Sequence, residues 1–494
     1  MQSRFFAARW AGALLLAPSA SSLPAQLIAP KTVPIHQSEQ FGIYPSQWPG
    51  MGGVSIALVD TLGDPWSNPA KAARLTVGSL QVMPFAHRAT AGSGRTISLS
   101  LLQTGRSIAG GALFSLQELE RSNVAWNVPI SDRRASNQYV AGILARRFGN
   151  GLSIGGGVNL ATLRGVDGVG ALYAGSDLVR QDGSQVDARL GLTKDFSGGS
   201  TLEVVAVSYW YDMTHDVHYP SFQRWACPPC VPGGPCTCNL DTVPERDEHN
   251  QDRTSIGGLH AVFLTPRTTG GWRTGYLFTA NRMSHPKIPN YQIQNIPRDP
   301  GNTDAFNFGF GAAREFGRST FGLDVIVEPM WSETWADAAG DTTDVHGVVL
   351  PRGAHTVDND FRFSNHRINL GFSQDIAGSS DSGSVLSLQF GLSMRTINYT
   401  LDQGNHVQRW SRSQSEGWTE WTPTFGIRVR GRNVDFSYGV STTCGPSCSP
   451  LGRGDDVSVT APPPPSVLAA PSAPLTFDGG SSKQHRVMVS IRLR

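Results

Sequence analysis

The side chains best equipped for chemistry are six cysteines in two clusters, Cys227-Pro-Pro-Cys230 with Cys236-Thr-Cys238, and Cys444-Gly-Pro-Ser-Cys448. Thiolates at two-residue spacing can ligate zinc, but no histidine follows at finger spacing. Neither Cys230 nor Cys448 precedes a histidine, as covalent haem attachment would require. An even count in an exported chain favours disulfides, whose connectivity the spacing leaves open. One further cluster, Asp212, His215, Asp216 and His218, has the donor types of a metal site, with a solvated loop as the alternative. The twelve histidines are otherwise scattered, and no His-Glu-x-x-His or phosphate-cradling glycine motif occurs. The expectation is a protein that is not an enzyme and holds neither cofactor nor metal.

The elements that carry these residues follow from composition and period. The chain has 494 residues, of which 55 are glycine and 32 proline, and only 16% are charged. Mean hydropathy is −0.21, and no run of about 18 apolar residues occurs, which excludes membrane-spanning helices. With 41 basic and 39 acidic side chains the formal charge is +2, so nothing in the balance points to nucleic acid. Arg4 and Arg9 precede the apolar run Ala11 to Ala17, followed by small residues, Pro18 and Pro24. That order is a secretory signal peptide, assigned to residues 1–25, and predicts export.

Beyond residue 75 the dominant pattern is alternation with period two. Leu386, Leu388, Phe390, Leu392 and Met394 alternate with small or polar residues; so do Ile97, Leu99 and Leu101, the trio Phe306, Phe308 and Phe310, and Val487, Val489, Ile491 and Leu493. These segments are long enough to cross a bilayer when tilted. Tight connections such as Thr104–Arg106, Gly149–Gly151, Gly317–Ser319 and Gly431–Asn433 alternate with long ones at about 118–137, 162–183, 212–252, 283–302, 332–363, 400–419 and 441–481. Short turns at one end and long loops at the other are the plan of an outer-membrane barrel. Backbone polar groups in lipid need internal partners, which for strands means closure. The predicted class is therefore all-β, a transmembrane antiparallel outer-membrane β-barrel of 14 to 16 strands over residues 76–494. Arg189, Asp324, Glu328, Arg395, Arg428, Arg430 and Arg492 would line a wet lumen as ion pairs. Tyr209, Trp210, Tyr211, Trp272, Trp331, Trp335 and Trp421 suit an interfacial belt.

Residues 26–75 read differently and are expected to form a hatch inside the barrel. Asn68 or Ser67 can cap, Pro69 suits a first helical position, and Ala70 to Leu75 would continue one short helix. The stretch Gly50-Met51-Gly52-Gly53-Val54-Ser55-Ile56-Ala57-Leu58-Val59-Asp60, followed by Ser67-Asn68-Pro69-Ala70, resembles the hatch of the FadL-like long-chain fatty-acid outer-membrane transporter family. Lys71 stands where that family usually has glycine, and the last residue is Arg494 where assembled barrels commonly end in an aromatic. The resemblance implies a barrel, usually of 14 strands, plugged by its N-terminal segment. It also implies passive uptake of fatty acids or aromatic hydrocarbons, with Gly50, Met51, Gly52, Gly53, Asn68, Pro69 and Ala70 on the substrate path. Implied partners are outer-membrane lipid and lipopolysaccharide, hydrophobic small molecules and the barrel-assembly machinery. Related PorV-type members of the broad class anchor or shuttle secreted proteins, and that role and a general diffusion porin are the alternatives.

Overall fold

A computed structural model describes residues 43–89, 92–121, 134–165, 176–226, 239–285, 301–338, 340–379, 384–445 and 481–493. The signal peptide expected at residues 1–25 and the disulfides expected of Cys227, Cys230, Cys236, Cys238 and Cys448 lie outside the described residues; of the six cysteines, Cys444 lies within them. The first elements are a single α-helical turn, α1 (Asp64–Ser67), and a 3-10 helix (Pro69–Arg74). Strands follow as β1 (Gly78–Ala89), β2 (Gly92–Thr104), β3 (Ile108–Arg121), β4 (Arg134–Arg147), β5 (Leu152–Leu163), β6 (Leu178–Asp195) and β7 (Thr201–Tyr219). A short hairpin, β8 (Phe222–Ala226) with β9 (Asn239–Val243), precedes β10 (Arg246–Leu264), β11 (Trp272–His285), β12 (Gly301–Phe316) and β13 (Ser319–Asp337). A second hairpin, β14 (Thr342–Thr343) with β15 (Val349–Leu350), leads to β16 (His355–Ser379), β17 (Ser384–Asn405), β18 (Trp410–Gly431), β19 (Val434–Cys444) and β20 (Ser481–Leu493).

All but the two hairpins form one closed antiparallel barrel of 16 strands, sealed where β1 pairs with β20 from Gly78 opposite Leu493 to Arg88 opposite Lys483. The even count at the upper end of the expected range closes the sheet without a free edge. No described helix is long and apolar enough to cross a membrane, and the crossing elements are strands. Three prolines sit inside strands, and each interrupts one ladder because it lacks an N–H. Beside Pro84 the β1–β20 register jumps from Val82–Val489 to Phe85–Arg486. Beside Pro329 the β12–β13 register skips two pairs, and beside Pro423 the β18–β19 register does the same.

Several expected loops turn out to be strand. The stretch 400–419 is not a loop: β17 and β18 run on to Asn405 and Trp410 and leave a four-residue turn. Likewise β7 reaches Tyr219, β10 starts at Arg246, β13 reaches Asp337 and β16 starts at His355, which shortens the expected loops 212–252 and 332–363. The physical reason is a change of solvent along each strand. On the outward face of β17, Leu386, Leu388, Phe390, Leu392 and Met394 give way to Thr396, Asn398, Thr400 and Asp402. On β16, reading the opposite way, Phe372, Leu370 and Ile368 give way to His366, Ser364, Arg362 and Asp360. A hydrocarbon core needs only about 9 to 11 tilted strand residues, so β16, with 25, projects well beyond it as water-soluble sheet. Arg362 pairs there with Asp360 at 2.9 Å.

Residues 43–75 touch inward faces on opposite walls and so lie inside the barrel. Facing them are inward glycines in matched register: Gly322 opposite Gly371, Gly371 opposite Gly391, Gly275 opposite Gly311, Gly426 opposite Gly439 and Gly155 opposite Gly191. A Cβ at Gly391 would overlap the backbone nitrogen of Gly52, and one at Gly371 would meet the Met51 carbonyl oxygen at 2.5 Å. These positions are glycine because another backbone passes there.

Candidate functional site in the barrel lumen

The lumen is layered, and the lowest layer joins residues 43–75 to the wall. Asp60 organises the segment: its carboxylate accepts from Ser46 Oγ at 2.5 Å and from the amides of Leu62 and Gly63 at 3.1 Å. Gly50 N donates to Gln389 Oε1 at 3.0 Å, and Gly52 N donates to Thr424 Oγ1 at 2.9 Å. Ser55 N and Ile56 N donate to the Asp324 carboxylate at 2.7 and 3.3 Å. Asn369 Nδ2 donates to the Gly53 carbonyl at 3.2 Å. Met51 is fully buried, and Gly52 and Gly53 take the positive φ values of 64° and 80° that turn the chain here.

On the opposite wall Asn68 caps the 3-10 helix through Ala70 N at 3.1 Å, with Pro69 and Ala70 packed on Gly155 and Gly191. Gly50, Met51, Gly52, Gly53, Asn68, Pro69 and Ala70 are thus in the lumen, divided between two walls. Arg189 pairs with Asp187 at 2.6 Å and donates to the Trp66 carbonyl at 3.1 Å. Lys71, the departure from the family pattern, sits between Asp64 at 2.8 Å and Glu203 at 2.9 Å, all three nearly buried. Burial pushes the Asp64 carboxyl up to about 6 against the pull of Lys71, with Asp60 and Glu203 adding to the rise. A carboxyl raised on seating stabilises the seated state most below its ordinary value near 3.8, and loses that contribution as pH rises through about 6. Amides 64–75 should therefore exchange faster at pH 7.5 than at pH 5 once intrinsic rates are removed. The difference should vanish in Asp64→Asn, and a flat wild-type profile would refute the assignment.

Above this layer, Glu328 is fully buried and faces Arg367 at 3.7 Å and Arg395 at 3.8 Å. Glu420 stands opposite Arg395 in register, and Arg395 Nε is buried without a hydrogen-bond partner. The ion pairs expected of the lumen charges are present for Arg428 with Asp435, Arg430 with Asp375 and Arg492 with Asp435. Asp324 departs from that expectation, since its described partners are the Ser55 and Ile56 groups rather than a cation.

The next layer is one the sequence reading missed. Ala305, Met330, Phe361, Phe363, Ile397, Tyr399, Leu401 and Trp418 form one buried apolar cluster on the inward face. Phe363 and Tyr399 rings lie 5.7 Å apart, and Tyr399 meets Trp418 edge-on at 6.4 Å. Tyr399 OH donates to Glu416, while Asn359, Gln403 and Arg412 close the layer from above, with Gln403 Nε2 donating to Asn359 at 2.7 Å. The signal was in the chain: on β17 the apolar set moves from even positions (386 to 394) to odd ones (397 to 401), and β16 makes the same shift. A one-residue phase change moves apolar side chains to the other face of a strand. Below the shift they face lipid; above it they face the lumen.

The remaining candidates separate. His215 is buried on the inward face, whereas Asp212, Asp216 and His218 point outward, because strand neighbours alternate. The outward three pair across to β10: His218 with Asp247 at 2.8 Å, Asp216 with His249 at 2.5 Å and Asp212 with Arg253 at 3.1 Å. Among the described residues no group of three suits a metal. The run Gly151-Leu152-Ser153-Ile154-Gly155 has the spacing of a nucleophile elbow, but Ser153 lies within β5 rather than on a strand-to-helix turn. Of the aromatics expected at the interface, Trp210, Trp272, Trp331 and Trp421 are exposed on the outer face, while Tyr209 is buried inside.

A closed barrel with an apolar jacket, a charged lower lumen and a chain segment seated within is the architecture of a membrane-spanning outer-membrane-type barrel. No protein-family model matches the chain, and no curated protein matches it in sequence. Similar solved structures include a FadL homologue of Pseudomonas aeruginosa, with TM-score 0.39 and 10% identity over 91% of this chain and 98% of that one. They also include the toluene transporter TbuX of Ralstonia pickettii, with TM-score 0.36 and 11% identity over 92% and 99% of the two chains. The ferric-catecholate import receptor Fiu of Escherichia coli has TM-score 0.35 and 9% identity over 85% and 82%. FadL-type barrels, the kind that the N-terminal motif resembles, are thus among the structures this chain is similar to. Identities and scores this low carry no function to it.

Proposed function

We propose that the protein is an outer-membrane channel for passive uptake of small hydrophobic molecules, gated by residues 43–75 acting as a hatch. The observation that supports this most is the apolar layer of Phe361, Phe363, Ile397, Tyr399, Leu401 and Trp418, stacked directly above the Glu328, Arg367 and Arg395 layer and the seated segment. A porin lumen has no need of buried aromatics, whereas a hydrophobic solute gains by leaving water for such a surface. In this reading the solute exchanges for aromatic contacts, passes when residues 43–60 shift, and leaves down its gradient without cofactor or chemistry. Below the aromatics Arg367 and Arg395 are balanced by Glu328 and by Glu420 opposite Arg395, so this layer has no surplus charge for an acidic head group and the reading covers fatty acids and neutral hydrocarbons alike.

The test is flux into liposomes carrying the purified protein, comparing a labelled long-chain fatty acid with a small sugar. The double variant Phe363→Ala with Trp418→Ala should cut fatty-acid flux by about tenfold, the order expected for losing aromatic burial, and leave sugar exclusion intact. Sugar flux in the wild type would point to a porin. No flux of either solute would sink the transport reading in favour of an anchor or shuttle for secreted proteins.

A further inference from the structure

We infer that the outer surface of β1 to β4 and β20 is a binding site for a phosphorylated lipid of the surrounding membrane leaflet. A groove of about 780 Å³ runs there, lined by Pro84, Ile97, Leu116 and Val487 low down and by Arg95, Arg134, His485 and one carboxylate, Glu118, at its upper end. The lower residues belong to the lipid-facing apolar band, which on these strands ends one residue pair below the charges. Ile97 is followed toward the long-loop end by Arg95, Leu116 by Glu118, and Val487 by His485. Depth comes from short outward side chains, Ala86 and Ser136, and from Pro84, beside which the closing seam skips its register.

The charges form a row two rungs deep, with Lys483, Arg88, Glu120 and Arg134 on one rung and His485, Arg95 and Glu118 on the next. Arg88 stands opposite Lys483, Ala86 opposite both Arg95 and His485, and Glu120 opposite Arg134. Arg134 lies 3.9 Å from Glu120, and His485 Nδ1 lies 2.9 Å from Tyr438 OH. Arg88, Arg95 and Lys483 make no ion pair among the described residues, although Glu118 lies opposite Arg95 in register. Exposed cations without carboxylate partners, directly above an apolar slot and at the edge of the lipid-facing band, complement one kind of amphiphile. Its phosphates would meet the cations and one of its acyl chains would fill the slot. A zwitterionic phospholipid carries no net charge to answer that row, so the occupant is a lipid with surplus phosphate, of the lipid A type.

The test is native mass spectrometry of the full chain released from phosphatidylethanolamine nanodiscs doped with lipid A or with its dephosphorylated form. Wild type should retain lipid A in preference to the dephosphorylated lipid. Affinity should fall roughly fivefold for each cation removed in the series Arg95→Ala, then Lys483→Ala, then Arg88→Ala. Ala86→Phe, which fills the slot and leaves the charges in place, should weaken retention as well. Heat-modifiable gel migration confirms that each variant is a folded barrel. Equal retention of the two lipids, or full retention by the triple variant, would overturn the proposal. So would displacement by millimolar inorganic phosphate, since that would make the row an anion site without a lipid.

Discussion

Replacing Lys71 by alanine should release residues 64–75 from the barrel wall at a cost of about 3 to 5 kcal/mol, the range for breaking a buried ion pair from one side. The magnitude comes from what remains. Lys71 Nζ is within 3 Å of both Asp64 and Glu203, whose side chains are only 7% exposed. Without the ammonium, two carboxylates share a site largely closed to water, and Arg74 reaches Glu203 only at 3.6 Å. Relief would come from the 3-10 helix lifting into solvent, which sacrifices the Asn68 cap and the Pro69 and Ala70 contacts with β5 and β6. Amide exchange over 64–75 should rise by two orders of magnitude or more, while strand amides keep their protection. Adding Glu203→Gln should recover most of the loss, because only one carboxylate then lacks a counter-ion. Unchanged exchange in Lys71→Ala would show that the triad does not hold the segment.

Gly391→Val should unseat the other half of the segment. A side chain there meets the backbone of Met51 and Gly52, and no rotamer moves a Cβ. The segment would have to give up the bonds from Gly50 to Gln389, from Gly52 to Thr424 and from Ser55 and Ile56 to Asp324. At about 1 kcal/mol for each neutral bond and roughly 2 for those to a carboxylate, the total is several kcal/mol. If the segment gates the lumen, solute flux should rise by at least about tenfold, and protease should reach residues 43–60. The control is the same substitution in a chain lacking residues 43–60, where it should be silent because the atoms nearest that Cβ, all of Met51 and Gly52, are then gone. A valine variant that stays closed and protease-resistant would show that the segment does not depend on this contact.

Both experiments act on residues of unequal legibility. The motif around Gly50 to Asp60 and the turn at Asn68-Pro69 mark a folded N-terminal segment in the sequence, and the cap at Asn68 follows from local chemistry that needs no partner. That Lys71 would find Glu203 on β7, or that Gly391 would face Gly52, does not follow from local chemistry. Each depends on which strand lies beside which point of the lumen, and the pairs are far apart along the chain.

What the sequence determined by itself was the barrel. Alternation with period two, strands long enough for a bilayer, and short turns alternating with long connections depend only on neighbouring residues and on the rule that lipid leaves no backbone group unpaired. The even count of 16 belongs to the same logic. The tertiary structure decided where lipid stops. The phase change between Met394 and Ile397 reads in the chain as an imperfection of the alternation. Only the closed sheet shows that β16, β17 and β18 make the change at one level, turning their apolar faces from the membrane to the lumen. The reason is that a strand's two faces are equivalent until closure assigns one to the interior. Beyond the bilayer, water outside reverses which side the apolar residues must take.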